Sequence, residues 1–446
     1  MTGRACRNIW GDYMEKIKII PTKLQGTVQV PSSKSMGHRE IICAGLAAGT
    51  SIIDNISMSK DIEATMRVLR AMNVSVDEIP SMLEGRHALQ IMGTGHPIAS
   101  ADTVDCVESG STLRFFIPLG ANLGCPLTFI GHGKLVSRPL QAYYDILDKQ
   151  FVQYFNDNGK LPLTVNGLLM PGKYELPGDV SSQFVSGLLF ALPLLKGDSE
   201  IIITSPLESS SYVDMTLSCL AKYGIKVENE GGAHRRYLVP GKQRFKAQDS
   251  KVEGDWSQAA FWTVAGSLGE SVTASGVDFT SLQGDKAVVD IMQRMCAALT
   301  QDAGSVTVEH GATKATVIDA ANCPDIIPIL TVLAAVSEGT THIINAGRLR
   351  IKECDRLAAM TSELNKLGAR VIEEPEGLLI EGQPQGLRGG AEVDAWNDHR
   401  IAMSLAVAAQ ACAEPIVLTG AGSVSKSYPD FWKDYTSVGG KIEVMA

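Results

Sequence analysis

Ser33-Lys-Ser-Met-Gly-His-Arg-Glu-Ile-Ile-Cys-Ala-Gly-Leu-Ala-Ala-Gly49 opens with small and charged residues, runs on through Ile, Cys, Ala and Leu, and stops at glycine. The run is apolar nearly all round, so it reads as a buried helix, and the final glycine suits a C-terminal cap. The same grammar recurs at residues 109–124, 181–197, 255–269, 323–339 and 397–415. Successive starts are separated by 76, 72, 74, 68 and 74 residues. Six occurrences at so even a spacing are internal repetition.

Between these runs lies a second, amphipathic helix, at 61–72, 139–151, 213–223, 286–299 and 352–367. Strand-like stretches fill the rest: 27–30, 51–56, 89–92, 127–130, 163–165, 201–204, 306–309, 342–344, 371–374 and 416–419. The repeating unit is therefore strands plus two helices. A chain of 446 residues exceeds the size at which one core stops growing, so six units predict two domains of three. A strand-like alternation begins at Met14, whereas residues 1–13 have no period; they read as an upstream extension that packs on nothing.

Composition narrows the function. Forty Lys and Arg against 49 Asp and Glu give a net charge of −9, which argues against nucleic acid as a partner. The most apolar stretch, 184–195, is too short to span a bilayer and contains Gly and Pro, so no membrane partner is expected. No apolar segment follows Arg4 and Arg7 as in a signal peptide. Nine scattered cysteines without a C-x-x-C pair fit a reduced cytoplasm and no zinc site. Gly420 to Ser427 misses a phosphate-binding loop because Ser425 stands where its second glycine must be. No G-x-G-x-x-G follows a strand and no G-x-S-x-G elbow exists.

The chemistry gathers where the helices open. Unpaired N–H groups and a partial positive charge make a helix N-terminus attractive to anions. Lys34, Ser35 and Arg39 open the first run, Gly110, Ser111 and Arg114 the second, and Ser181, Ser182 and Gln183 the third. Pro324 and Asp325 open the fifth, Asp398 and Arg400 the sixth. Second helices add Ser137-Arg138, Lys352-Glu353-Cys-Asp355-Arg356 and Ser425-Lys426-Ser427. Ser and Asp at such positions are ordinarily caps. Openings that repeatedly join Lys or Arg to hydroxyls predict a pocket for more than one anionic group.

These motifs, in order from about residue 17 to 440, resemble those of the 5-enolpyruvylshikimate-3-phosphate (EPSP) synthase family. They are Pro31-Ser-Ser-Lys34-Ser35-Met-Gly-His-Arg39, Ser109-Gly110-Ser-Thr-Leu-Arg114-Phe, Ser137-Arg138-Pro139, and Gly178-Asp-Val-Ser181-Ser182-Gln183-Phe. Val252-Glu-Gly-Asp255, Pro324-Asp325, Arg350-Ile-Lys352-Glu353-Cys-Asp355-Arg356-Leu357, Asn397-Asp398-His399-Arg400 and Lys426-Ser-Tyr-Pro429-Asp continue the match. Glu108, where Asn is usual, and Phe115, where some members have Pro, depart from the pattern beside Gly110. Cys354 stands where Ser or Thr is commoner.

The resemblance implies an α/β (α+β type) fold of two similar domains, each of three βαβαββ units with buried parallel helices. The chain would cross near 32–33 and 252–253, giving one domain at 33–252 and another from 1–32 plus 253–446, with the active site in the cleft between. It implies enolpyruvyl transfer from phosphoenolpyruvate to the 5-hydroxyl of shikimate 3-phosphate, in the cytoplasm, by a monomer, with no metal or other cofactor. Shikimate 3-phosphate would be held by Lys34, Ser35, Arg39, Ser181, Ser182, Gln183, Ser209, Asp325 and Lys352, with Tyr212 alongside. Phosphoenolpyruvate would be held by Lys34, Gly110, Arg138, Gln183, Arg356, Arg400 and Lys426. Asp325 would be the base, and Glu353 with Lys34 would move the proton at C3. The cations of the two halves, without ligand, would repel one another.

Two rivals remain. UDP-N-acetylglucosamine enolpyruvyl transferase shares fold and donor, but would show Lys-Asn near the start and a Cys-bearing loop. Here Ser35 follows Lys34, and neither Cys106 nor Cys125 sits in such a loop. A non-catalytic anion-binding relative should have lost acids or cations from the motifs, and all are present.

Overall fold

The computed structural model describes residues 15–232 and 235–445; the expected extension at 1–13 lies outside them. Each repeat contributes two helices, here α1 (Lys34–Leu46) and α2 (Lys60–Ala71), α3 (Gly110–Gly120) and α4 (Gln141–Lys149), α5 (Ser182–Ala191) and α6 (Ser210–Lys222). The second half adds α7 (Trp256–Leu268) and α8 (Ala287–Arg294), α9 (Ile327–Ala335) and α10 (Arg356–Lys366), α11 (His399–Ala408) and α12 (Phe431–Ser437). The odd-numbered helices are the six apolar runs. Every residue of α9 is buried, and so is every residue of α7 from Trp256 to Ser267. Trp262 in α7 is completely enclosed; truncating such a side chain to Ala costs about 3–5 kcal/mol.

Among the described residues the strands form six four-stranded sheets and one two-stranded pair. Each four-stranded sheet has one parallel pair extended by two antiparallel neighbours. In the second repeat, Thr103–Asp105 runs parallel to Leu127–Ile130 with α3 as the crossover; Lys160–Asn166 and Gln153–Asp157 then follow antiparallel. Parallel neighbours need such a crossover, whereas the closing hairpin needs only a turn.

Three strands leave the repeat they precede in the chain. Gln25–Gln29, just before α1, pairs with Ser271–Ser275 after α7. Ser250–Lys251, just before α7, pairs with Ala48–Ile56 after α1. Lys16–Ile20 inserts between Ile416–Thr419 and Lys441–Val444 of the sixth repeat. The described residues accordingly divide into two compact units: those up to 31 with 254–281 and those from 285 on, and those of 32–253 with 282–284. Each has its own core, built around α7, α9 and α11 in the first and around α1, α3 and α5 in the second.

Among the amphipathic helices, two depart furthest from the sequence reading. The helix expected over 286–299 ends at Arg294, because Cys296 adopts a left-handed φ of 62° and the chain turns into the strand Ala298–Asp302. The one expected over 352–367 starts only at Arg356, where Asp355 caps it through the Ala358 N–H. Lys352 is left in extended backbone before the helix.

Candidate active site

In the first unit, Asp325 lies in the 3-10 turn Pro324–Ile326 that leads into α9. Its carboxylate accepts from Arg400 Nη2 at 2.9 Å and from Arg356 Nη1 at 3.0 Å, and Lys352 Nζ stands 3.6 Å away. Arg400 also donates to the Asp325 main-chain carbonyl at 3.1 Å and to Ser257 Oγ at 3.1 Å. Arg356, the first residue of α10, is buried and donates further to Glu353 at 2.8 Å and to Asp398 at 2.7 and 3.4 Å. Asp398 caps α11 by accepting from the Arg400 N–H at 2.8 Å. Lys426 Nζ donates to the Asn397 carbonyl at 2.7 Å. Three carboxylates thus face three cations around the openings of α9, α10 and α11, and Lys426 reaches the same segment through the Asn397 carbonyl. Burial alone would push the Asp325 carboxyl up, but Arg400, Lys352 and Arg356 outweigh it and hold it well below the usual carboxylate range. Loss of hydration pulls Lys352 down to about 8, against the attraction of Asp325; nearly a third of its side chain still reaches solvent.

Trp396 and Asn397 precede Asp398, and both are left-handed, with φ of 51° and 52°. Non-glycine residues pay about 1–3 kcal/mol each for such a backbone and keep it only where the surroundings impose it. Ser209, just before α6, is left-handed too, at φ 51°.

In the second unit, Lys34 begins α1, where the helix dipole disfavours a cation. Asp61, in the first turn of α2, answers it at 2.7 Å. Arg39 is buried, with Nε on Thr216 at 2.8 Å, Nη1 on the Ser35 carbonyl at 2.6 Å and Nη2 on the Tyr212 carbonyl at 2.8 Å. Its guanidinium lies 5.3 Å from the Phe115 ring centroid. Burial lowers it to about 10, so it stays charged at neutral pH. Gly110 opens α3 with Arg138 so close that a Cβ would stand 2.4 Å from Nη1. Arg114 Nη1 donates to Gln183 Oε1 at 2.8 Å, and Gln183 Nε2 to Ser111 Oγ at 2.9 Å. Ser181 caps α5 through the Gln183 N–H, and Ser182 is buried in its first turn.

The structure therefore brings together Asp325, Lys352, Glu353, Arg356 and Arg400, with Lys426 joined through Asn397. It sets Gly110 beside Arg138, Gln183 beside Arg114, and Arg39 beneath Ser35. The expected repulsion between bare cations needs amending, because Lys34, Arg356 and Arg400 are paired with acids of their own unit. Two of those partners, Asp61 and Asp398, carried no assigned role in the sequence reading. Asp61 looks like an ordinary first-turn acid, and only its place opposite Lys34 reveals it. The two departures beside Gly110 also find their places: Phe115 packs edge-on against Phe190 at 5.4 Å beneath Arg39. The Glu108 carboxylate lies against Gly133, in the turn that leads to Arg138.

Among the described residues no group of His, Cys, Asp and Glu could hold a metal ion, and no helix is long and apolar enough to cross a membrane.

Repeated βαβαββ units with charged helix openings define the enolpyruvyl transferase class. The fold superposes on the enolpyruvyl transferase NikO from Streptomyces tendae with a TM-score of 0.76 at 18% identity, over 96% of this chain and 99% of that one. It superposes on EPSP synthase from Acinetobacter baumannii with a TM-score of 0.81 at 26% identity, over 97% of this chain and all of that one. The family model for EPSP synthase (3-phosphoshikimate 1-carboxyvinyltransferase) matches residues 19–435, and the chain belongs to that family. The 3-phosphoshikimate 1-carboxyvinyltransferase of Clostridium kluyveri is 50% identical over 430 residues, covering 96% of this chain and 99% of that protein.

Proposed function

We propose that this protein transfers the enolpyruvyl group of phosphoenolpyruvate to the 5-hydroxyl of shikimate 3-phosphate, releasing phosphate, on the route to chorismate and the aromatic amino acids. Family membership supports the reaction. The observation that carries the chemistry is the Asp325 carboxylate bound by Arg400 and Arg356 with Lys352 beside it.

Both substrates bear a carboxylate and a phosphate, so the protein must offer several cations. Arg suits these groups because its planar fork binds two oxygens at once. In this reading Ser35 and Arg39 take the shikimate carboxylate, and Ser181, Ser182 and Ser209 take its phosphate, with Gln183 alongside. Lys352 meets the ring substituents, and Lys34, Gly110, Arg138, Gln183, Arg356, Arg400 and Lys426 surround phosphoenolpyruvate.

The reaction is addition followed by elimination. The 5-hydroxyl oxygen bonds to C2 of phosphoenolpyruvate while C3 gains a proton; phosphate then leaves C2 as C3 gives a proton up. Asp325 accepts the hydroxyl proton, and Lys34 and Glu353 serve C3. Held by three cations, Asp325 is a poor base in the unliganded protein. Substrate anions compete for Arg400, Arg356 and Lys352, and each cation they engage returns basicity to Asp325. The base is thus activated by the arrival of the two substrates.

The same reading places the protein in the cytoplasm, which the eight described cysteines as free thiols favour, and as a monomer. Phosphate release from phosphoenolpyruvate tests the substrate assignment. Release is expected with shikimate 3-phosphate and not with UDP-N-acetylglucosamine; the reverse result would assign the chain to the nucleotide-sugar reaction.

A further inference from the structure

We infer that Glu363, a buried carboxylate in the last turns of α10, is a positioning residue for the phosphoenolpyruvate subsite. It acts by holding the strained segment 394–398 on which three cations of the site are registered. The inference rests on the assignment of Arg356, Arg400 and Lys426 to phosphoenolpyruvate above.

Glu363 is 1% exposed, yet both of its oxygens are fully engaged. Oε1 accepts from the Trp396 indole Nε1 at 2.9 Å and from Ser362 Oγ at 3.0 Å. Oε2 accepts from the Asp394 main-chain N–H at 2.9 Å and from Lys366 Nζ at 2.7 Å. Two of these four donors belong to the segment 394–398, which runs from the end of the strand Glu392–Asp394 to the cap of α11. The same segment holds the consecutive left-handed residues Trp396 and Asn397. A backbone so disfavoured must be imposed from outside, and Glu363 grips it at Asp394 and again at Trp396.

What the segment presents explains why it is gripped. Asn397 offers its carbonyl to Lys426, while Asp398 binds Arg356 and caps the helix at Arg400. Glu363 lies seven residues beyond Arg356, about two helical turns, so both lie on one face of α10. One helix therefore fixes the segment twice, through Arg356 to Asp398 and through Glu363 to Asp394 and Trp396. A carboxylate can serve all four donors. A Gln side chain has one acceptor oxygen, so it must leave either the indole or the Asp394 N–H unmatched.

The test is steady-state kinetics of the full-length protein, unsubstituted and as Glu363→Gln, with both substrates varied. The expected result is a KM for phosphoenolpyruvate raised about tenfold, with the KM for shikimate 3-phosphate changed less than twofold; Glu363→Asp should recover part of the loss. Trp396→Phe keeps the carboxylate and removes only the indole donor. It should shift the same constant by about threefold, and it decides the matter if Glu363→Gln fails to fold. Turnover in the unsubstituted protein with both KM values moving together, or neither moving, overturns the role of Glu363 alone. No turnover in the unsubstituted protein overturns the assigned reaction and this inference with it.

Discussion

Arg400 holds Asp325 by two bonds at once, one to the carboxylate at 2.9 Å and one to the main-chain carbonyl at 3.1 Å. The side chain is thereby fixed relative to its own backbone at the opening of α9. A base so placed needs no search for its orientation when substrate arrives.

Asp325→Asn keeps that shape and an accepting oxygen but cannot take a proton. The loss of a general base costs about 10²–10⁴ in rate, or roughly 3–5 kcal/mol at about 1.36 kcal/mol per decade. Anion affinity should be retained or improved, since Arg400, Arg356 and Lys352 lose a competitor. A collapsed kcat with an unchanged or tighter Kd for shikimate 3-phosphate is expected; near-normal kcat would move the role of base to Glu353 or Lys34.

The same carboxylate makes stability depend on pH in a defined direction. Its folded-state pKa lies below the unfolded value of about 3.9. The contribution is therefore complete above about pH 5 and is lost as pH falls through the folded value. At neutral pH, Asp325→Asn should cost about 1–3 kcal/mol, the usual penalty for buried donors left unmatched. Thermal melts of both proteins from pH 7 down to pH 3 should show the gap in Tm narrowing with acid. A gap that widens would mean the carboxyl is not depressed.

Lys352 gives a second pH signature, on binding. With its pKa at about 8, the ammonium gives up its proton as pH rises above that value, and an anion then meets a neutral amine. Affinity for shikimate 3-phosphate should fall between about pH 8 and 10, while bound ligand raises the lysine pKa by linkage. Titrations across that range should show the fall in the unsubstituted protein and a flatter profile in Lys352→Arg, whose charge persists.

Gly110→Ala should act through Arg138. The added Cβ would stand 2.4 Å from Nη1, so the guanidinium must move. The expected outcome is a KM for phosphoenolpyruvate raised about tenfold or more, with little change in Tm, because the displaced atoms are the end of a flexible side chain. An unchanged KM would remove Arg138 from the phosphoenolpyruvate subsite.

The sequence carried the fold at the level of its repeat. All six apolar runs are helices, because an all-round apolar surface has no other stable use in water. Edge strands such as Ser75–Pro80 and Gln153–Asp157 escaped notice, since outward residues such as Glu78 and Phe155 do not follow a simple polar and apolar alternation. The exchange of Gln25–Gln29 and Ser250–Lys251 between repeats is a long-range pairing that no local pattern records. At the site, the charged openings announced Lys34, Asp325, Arg356 and Arg400. Two partners did not announce themselves: Asp61 is 27 residues from Lys34, and the group that receives Lys426 is a main-chain carbonyl.

The most direct measurement follows the reacting carbon. The protein, shikimate 3-phosphate and [2-¹³C]phosphoenolpyruvate are incubated together, and the products are read by ¹³C and ³¹P NMR. The account predicts that the labelled carbon appears in an enol ether on the 5-oxygen of shikimate 3-phosphate, with one inorganic phosphate released per ether formed. Labelled pyruvate in place of the ether, or labelled phosphoenolpyruvate left unchanged, would contradict it.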